Sequence, residues 1–564
     1  MSRSIASLMA CLVLAAALSV GCQRSSSPGV GLEPGERQGS TKSSLGEAAQ
    51  SHGTGSPSRP HGTASSSAPA PPPEPPFTST DSFDLLIAGG TVVDGSGGPG
   101  RLADVLIDGD QIVHVGRVDS AVKVARRIQA AGQVVAPGFI DIHSHGDPVA
   151  ANRNSLAMGV TVICVGQDGR SPSGDRLAYW IPRIGRKRLA LNVVPYVGHG
   201  TVRGLAKVGL RADLTDKQLA RMARIVERDL AAGAWGLTTA LEYRPGIFAS
   251  AAELTAIAKP VAAVDGVVMS HLRSEDDDKI DEAIDELIAQ GSSAGARVHI
   301  SHIKVVYGKG AARAERLLAK LQAARDQGTP ITADIYPYNA SYTGISIVFP
   351  AFALPPNSYQ RVKRNRRDEL ADYLRKRVTQ RGGPEATLFG TPPYRGKTLA
   401  EVAKKKGKPF EDVLIDDIGP GGVSAAYFVM DDALQSRLLI DPQIAIGTDG
   451  GSSSRHPRGY GAFAKVIAEH VIKRRALSIE QAVRKMTGLP AAIVGLDDHQ
   501  RGLLRAGWAA DVVIFDPAAV TDRATYEAPN RLSQGMSWVL VNGQAVVEEG
   551  RFTKRRPGRL LIRK

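Results

Sequence analysis

Cysteine is nearly missing from this chain: among 564 residues only Cys11, Cys22 and Cys164 carry a thiol. The first two lie close to the N-terminus, which leaves Cys164 alone in the part able to fold. An internal disulfide is therefore excluded, even in an oxidising compartment. Long apolar runs are missing as well. The run Leu8–Leu18 falls well short of the about 20 residues that cross a bilayer. Acidic residues are outnumbered, 56 against 70 Lys and Arg, for a formal charge of +14. That excess raises the question of nucleic acid. The densest basic stretch, QRVKRNRRDELADYLRKRVTQR (360–381), is interspersed with acids and shows no pattern of interleaved aromatics. It reads as a solvated helix, and no DNA-binding motif accompanies it.

What is present begins with a leader. Arg3 precedes the apolar run, and the small residue Gly21 stands before Cys22, as in a secretory signal. The ending SVGC resembles a bacterial lipoprotein cleavage box, with Ser19 where Leu is usual. That resemblance makes residues 1–22 a lipoprotein signal, Cys22 the lipidated first residue, and the cell envelope the location, facing away from the cytoplasm. Acyl chains contribute about 0.8 kcal/mol per buried methylene, so several of them hold a protein at a bilayer. Residues 23–80 are rich in Ser, Gly, Pro and Ala and include APAPPPEPPF. Such a segment buries too little apolar surface to offset its ordering entropy and reads as a tether. About 480 residues remain, suited to a large domain with a smaller companion.

Those residues alternate short apolar runs with longer amphipathic stretches. The expected strands are VVAPGFIDIHSH (134–145), TVICVGQ (161–167), LNVVPYV (191–197), WGLTTAL (235–241), GVVMSHL (266–272), RVHISHI (297–303), PITADIYP (330–337) and QIAIGTD (443–449). Helical patterns such as DKQLARMARIVERDLAAG separate several of them. Apolar strands alternating with helices argue for a parallel sheet, and eight strands suit closure into a (β/α)₈ barrel over 137–500. An open doubly wound sheet is the other arrangement. The segment 341–442 is long for one connection and predicts a lid insertion, placed around 341–400. The flanks read differently. DLLIAGGTVVDGSG, DVLIDGDQIVHVG, ADVVIFDP and SWVLVNGQAVVEEG alternate with Gly and Asp turns, as hairpins do. Residues 81–136 and 501–564 are expected to build one small β-sandwich from both chain ends.

The polar residues fall in a pattern. In an extended chain alternate side chains share a face, so His143 and His145 of GFIDIHSHGD point one way. Asp168 follows the second strand, His271 ends the fifth, His302 the sixth and Asp449 the eighth. Active sites of such barrels sit at the carboxyl ends of the strands, where these groups would converge. Four His and two Asp are enough for one or two catalytic zinc sites, each with three protein ligands and an open position.

The ordered series PGFIDIHSHGD, GVTVICVGQDG, LEYRPG, SHLRSE, SHIK, DIYPY, IGTDG, HPRGYGAF and KMTGLPAAIVGL is similar to the amidohydrolase superfamily. Within it the chain resembles the N-acyl-D-amino-acid deacylases over about 83–560. The resemblance implies one tight zinc held by His271, His302 and Asp168. A second, weaker divalent position would fall to His143 and His145. Asp168 stands where the better-known pattern has Cys, and a carboxylate is a harder ligand than a thiolate. Cys164 shares its strand parity but lies deeper, as a packing residue would. The superfamily's carboxylated lysine has no counterpart in WGLTTALEY, where Glu242 is either a bridging carboxylate or a turn acid. Asp449 is the expected proton acceptor. Lys304, Tyr336 and Arg458 are carried over as donors to the substrate carboxylate, and His199 is a further candidate. The implied activity is zinc-dependent hydrolysis of N-acyl-D-amino acids or related D-configured peptides, small-molecule substrates. The alternatives are a cyclic-amide hydrolase of hydantoinase or dihydroorotase type and a metal-free scaffold.

Overall fold

Eight short parallel strands ring the centre of the molecule: Phe139–Asp141, Val160–Val165, Asn192–Pro195 continued by Val197–Gly198, Gly236–Ala240, Val267–His271, Arg297–Ile300, Ile331–Ile335 and Ile444–Ile446. Each falls inside one of the eight runs expected from the sequence, apart from Val160 and Gly198, which lie just outside. The computed structural model describes residues 81–563 except 173 and 454. The leader, Cys22 and the tether lie outside the described residues. Pairing runs in chain order around the ring. Beyond the regular strands the circle closes between the first and the eighth. Asp449 N donates to His143 O, and His145 N to Gly450 O, each at 2.8 Å. That closure sets the two histidines of the first strand beside the aspartate of the last.

Helices cover the ring because their apolar residues repeat on one face. Asp216–Ala231 buries Met222, Ile225, Val226 and Leu230 and starts in a capping box between Thr215 and Gln218. Ile280–Ala294 and Ala311–Asp326 pack in the same way. Among the described residues no helix is long and apolar enough to cross a membrane.

The long connection after the seventh strand carries a three-stranded antiparallel sheet of Ser341–Gly344, Ser424–Tyr427 and Thr387–Phe389. The basic stretch forms two helices here, Tyr359–Asn365 and Arg367–Gln380, where the sequence suggested one solvated helix. Most of its bases face outward, but Arg377 and Arg381 turn in. Both reach the buried carboxylate of Asp276, at 2.5 and 3.3 Å. A helix that looked uniformly wet thus presents one side to the barrel mouth.

Both chain ends contribute to a second sheet of nine strands, with Val134–Pro137 between Val512–Phe515 and Ser82–Val92. Hydrogen bonds link all nine, and Ile87, Val105, Val135, Val512 and Leu540 share one core. DLLIAGGTVVDG is not a hairpin in itself. It is a single strand whose register shifts between Ile87 and Gly90. The Asn542–Gly543 pair does turn a hairpin, both residues having positive φ (47° and 75°). The last residues leave this sheet and run under the barrel. There Leu561 O accepts from the Trp235 indole at 2.8 Å, and Arg563 N donates to Gly233 O at 3.0 Å.

Candidate active site

Asp168, His302 and Asp449 sit where strands end, and all three adopt left-handed backbone, with φ of 51°, 38° and 46°. Asp, Asn and His enter this region more readily than most residues, yet it still stores strain. The turn swings each side chain back over the mouth of the ring. There the ligand atoms of His143, Asp168, His302 and Asp449 all lie within 4.8 Å of one another. His143 Nε2 is 3.5 Å from Asp168 Oδ1 and 3.7 Å from Asp449 Oδ1. His302 Nε2 is 3.6 Å from Asp168 Oδ1 and 4.0 Å from Asp449 Oδ2. A second group, His271, Glu275 and His302, meets the same criterion. In it His271 Nδ1 faces His302 Nε2 at 3.0 Å. His302 therefore belongs to both groups. The grouping by distance joins Asp168 with His143 rather than with His271, unlike the division that the resemblance implied. His145 lies at the exposed rim, with Nε2 3.2 Å from both Asp168 Oδ2 and Asp449 Oδ1.

The donor set fits a cation. Both ring nitrogens of buried His143 and Asp168 Oδ1 lack any hydrogen-bond partner, a costly state for buried polar atoms unless something else binds there. Carboxylates lie behind two of the imidazoles and set their direction. Glu242 Oε2 is 3.0 Å from His271 Nε2, and Glu275 Oε1 is 3.1 Å from His302 Nδ1. With its Nε2 donating to Glu242, His271 presents the Nδ1 lone pair to the centre, whereas His302 Nδ1 faces both Glu275 and the Lys304 ammonium, 2.7 Å away. Asp334 lies 3.8 Å behind His143 Nδ1 and accepts from the backbone N–H of His302 at 3.0 Å.

The charges agree. Burial and the Lys304 ammonium oppose a proton on His302, yet Asp449, Asp168 and Glu275 raise its pKa to about 10. Burial alone would raise Asp168 and Asp449, but their basic neighbours hold both carboxyls well below the usual range, His143 first for Asp168 and Arg458 first for Asp449. A cation that binds through the His302 imidazole must displace its proton.

Lys304, Tyr336 and Arg458 line one cavity of about 290 Å³ together with His145, Asp168, His271, His302 and Asp449. Both cations among them are already paired. Arg458 Nη1 pairs with Asp449 Oδ2 at 2.7 Å, its Nη2 reaches Tyr342 O at 3.4 Å, and its buried Nε has no partner. Lys304 Nζ is 2.5 Å from Glu275 Oε1 and 2.7 Å from His302 Nδ1. An ammonium has three donors, so one remains. The Tyr336 hydroxyl is buried without a partner, and the Arg458 guanidinium lies 4.7 Å from its ring centre.

Sequence reasoning missed Glu275, Asp334 and Asp141, and took Arg381 for part of a solvated helix. Arg381 lines the cavity from the insert with its buried Nε unpartnered. Asp141 had a signal, since it shares parity with His143 and His145. It accepts from Thr448 N and Oγ1 at 2.8 and 2.6 Å, and burial pushes its carboxyl up to about 7. Cys164 is buried among Ile140, Val162 and Met269. His199 is tied to buried Glu253 at 2.7 Å, in a network completed by Arg203. Neither joins a group able to share an ion among the described residues.

Comparison with known proteins places this geometry. A family model described as amidohydrolase family matches residues 396–547. An N-acyl-D-glutamate deacylase of Alcaligenes xylosoxydans xylosoxydans is 35% identical over 511 residues, covering 86% of this chain and 97% of that protein. A D-aminoacylase of the same organism is 33% identical, covering 85% and 98%. The crystal structure of N-acyl-D-glutamate deacylase from Bordetella bronchiseptica, complexed with zinc and a phosphonate mimic of the tetrahedral intermediate, superposes with a TM-score of 0.73. It is 30% identical and covers 86% of this chain and 100% of that one. A dihydroorotase of Trichlorobacter lovleyi is only 22% identical. The chain belongs to the amidohydrolase superfamily, in the branch of the N-acyl-D-amino-acid deacylases.

Proposed function

We propose that this protein hydrolyses the amide bond of N-acyl-D-amino acids with zinc as cofactor, giving a carboxylate and a free D-amino acid. One observation carries the reading: a cluster of buried ligands with unpartnered atoms shares a cavity with three donors suited to a carboxylate. The resemblance gives the tight ion to His271, His302 and Asp168 and the weaker position to His143 and His145, whereas distance sets Asp168 and His302 with His143 and Asp449; His302 and Asp168 are the ligands that both divisions give to one ion. A zinc ion there supplies Lewis acidity, giving a nucleophilic water near pH 7 and a polarised amide carbonyl.

The chain's own groups do the rest. Asp449, kept ionised by Arg458, accepts the proton of the attacking water and passes it to the departing nitrogen. Arg458 has Nε to spare, so it can bind the substrate carboxylate without releasing Asp449. Lys304 and Tyr336 add donors on the same wall. A linear substrate with a free carboxylate uses these donors, whereas a cyclic amide does not need them, which favours the deacylase over the hydantoinase reading.

Kinetics with N-acetyl-D- and N-acetyl-L-amino acids and an uncharged N-acetyl amide test this. The parent protein should turn over the D series. Arg458→Gln should raise KM for the acid by at least tenfold more than for the amide, while kcat falls for both because Asp449 loses its partner. An equal KM effect on the two would remove Arg458 from carboxylate recognition.

On the strength of the leader and the SVGC box alone, we also propose that Cys22 carries acyl chains that hold the enzyme at an envelope membrane. Cys22→Ser protein should then leave the membrane fraction. Unchanged partitioning would discard the anchor.

A further inference from the structure

A second and larger cleft, of about 1210 Å³, adjoins the catalytic cavity and shares Glu242, Tyr243 and Ile347 with it. The carboxylate donors Lys304, Tyr336 and Arg458 line only the inner cavity. An N-acyl-D-amino acid seated on them therefore directs its acyl side toward the Glu242–Tyr243 seam and the outer cleft. An acetyl group would leave that space empty. The cleft is larger than the roughly 300–1,000 Å³ that encloses a whole drug-sized ligand.

The two walls differ in chemistry. The insert supplies Ile347, Phe349 and Leu354, and Ile247, 37% exposed, lines the same cleft. The other wall, from the connection after the fifth strand, is charged but largely self-neutralised. Arg273 pairs with Glu286 at 2.8 Å, and Asp278 accepts from the Tyr307 hydroxyl at 2.6 Å. Two contacts tie lining residues of the insert to the barrel loops: Arg244 Nε to Pro355 O at 2.6 Å, and Arg377 to Asp276 at 2.5 Å. The insert is thus fixed against the barrel loops without a ligand, which lowers the ordering cost of binding. A hydrocarbon chain would strip water from the charged wall and offer no hydrogen bond in return. A peptide matches both walls, with amides toward one and side chains toward the other.

We infer that the outer cleft is an acyl subsite for a peptidyl group of two or more residues, so that the enzyme releases a carboxyl-terminal D-residue from short peptides. This rests on the deacylase reading above. One water adds across the last amide bond. Its hydroxyl joins the acyl carbon, which ends as the carboxylate of the shortened peptide, and the nitrogen leaves as the amine of the D-residue.

The zinc-loaded protein is tested with the D-residue, among glutamate, aspartate and leucine, that it hydrolyses fastest as the N-acetyl derivative. That substrate is compared with the N-acetyl-Ala-Ala peptide ending in the same D-residue. The peptide should have at least a tenfold higher kcat/KM, chiefly through KM. Ala351→Trp, at an exposed position lining the cleft, should bring the peptide-to-acetyl ratio to within about threefold of one. Ile247→Lys should lower it in the same direction. Zinc content and melting temperature should stay at parental values in both variants. A ratio near one in the parent protein, or a high ratio untouched by both variants, overturns the subsite and leaves the deacylase reading intact. No turnover of either substrate overturns both.

Discussion

Asp449→Asn protein should bind about one zinc per chain and lose at least two orders of magnitude in kcat, the usual scale for a positioned acid–base group. Asn has the same shape and also tolerates the left-handed backbone at 449. The substitution therefore removes the proton acceptor with little steric change. It also leaves the Arg458 guanidinium, 2.7 Å away and buried, without its counter-ion. Breaking a buried pair on one side costs on the order of 3–5 kcal/mol, so a lower melting temperature should accompany the kinetic loss. Zinc analysis of the same preparation separates the two effects. A metal-loaded, folded variant with near-parental kcat would take the base role away from Asp449.

His302→Asn should be the most damaging substitution at the metal. His302 belongs to both candidate ligand groups, and its Nε2 lies 3.0 Å from His271 Nδ1. The expected zinc content falls below about a tenth of an ion per chain, and turnover falls at least a thousandfold, because three ligands are the minimum for a catalytic site. Asn is chosen because φ at 302 is 38°, where Ala would add a backbone penalty of its own. His145→Asn, at the exposed rim, should keep the tight ion. If His302→Asn protein retained a full complement of zinc, the shared-ligand arrangement would be wrong.

The barrel was legible because its strands are short apolar runs bounded by helical patterns, and strand parity set His143 and His145 on one face. Placing the polar residues at strand ends then located the mouth without any knowledge of contacts. What stayed hidden is what only tertiary structure decides. Glu275 looks like one more acid in SHLRSEDDD, and its link to Lys304 and His302 exists only after two strands are side by side. Arg377 and Arg381 sit in a stretch whose composition says solvent, yet the helix turns that side onto Asp276. The register shift near Gly90 and the departure of the tail toward Trp235 depend on distant neighbours in the same way.

The backbone at Asp168 bears on the choice of ligand there. A thiol is the more familiar occupant, but exchanging the two side chains would be more than a change of donor atom. With φ at 51° the peptide is twisted into a shape that aspartate accepts more cheaply than cysteine. A sulfur installed at 168 would have to pay for that twist or relax it, and relaxing it moves the donor away from His143 and His302. The donor atom and the loop's twist at this position are thus physically linked, so that a change of one strains the other.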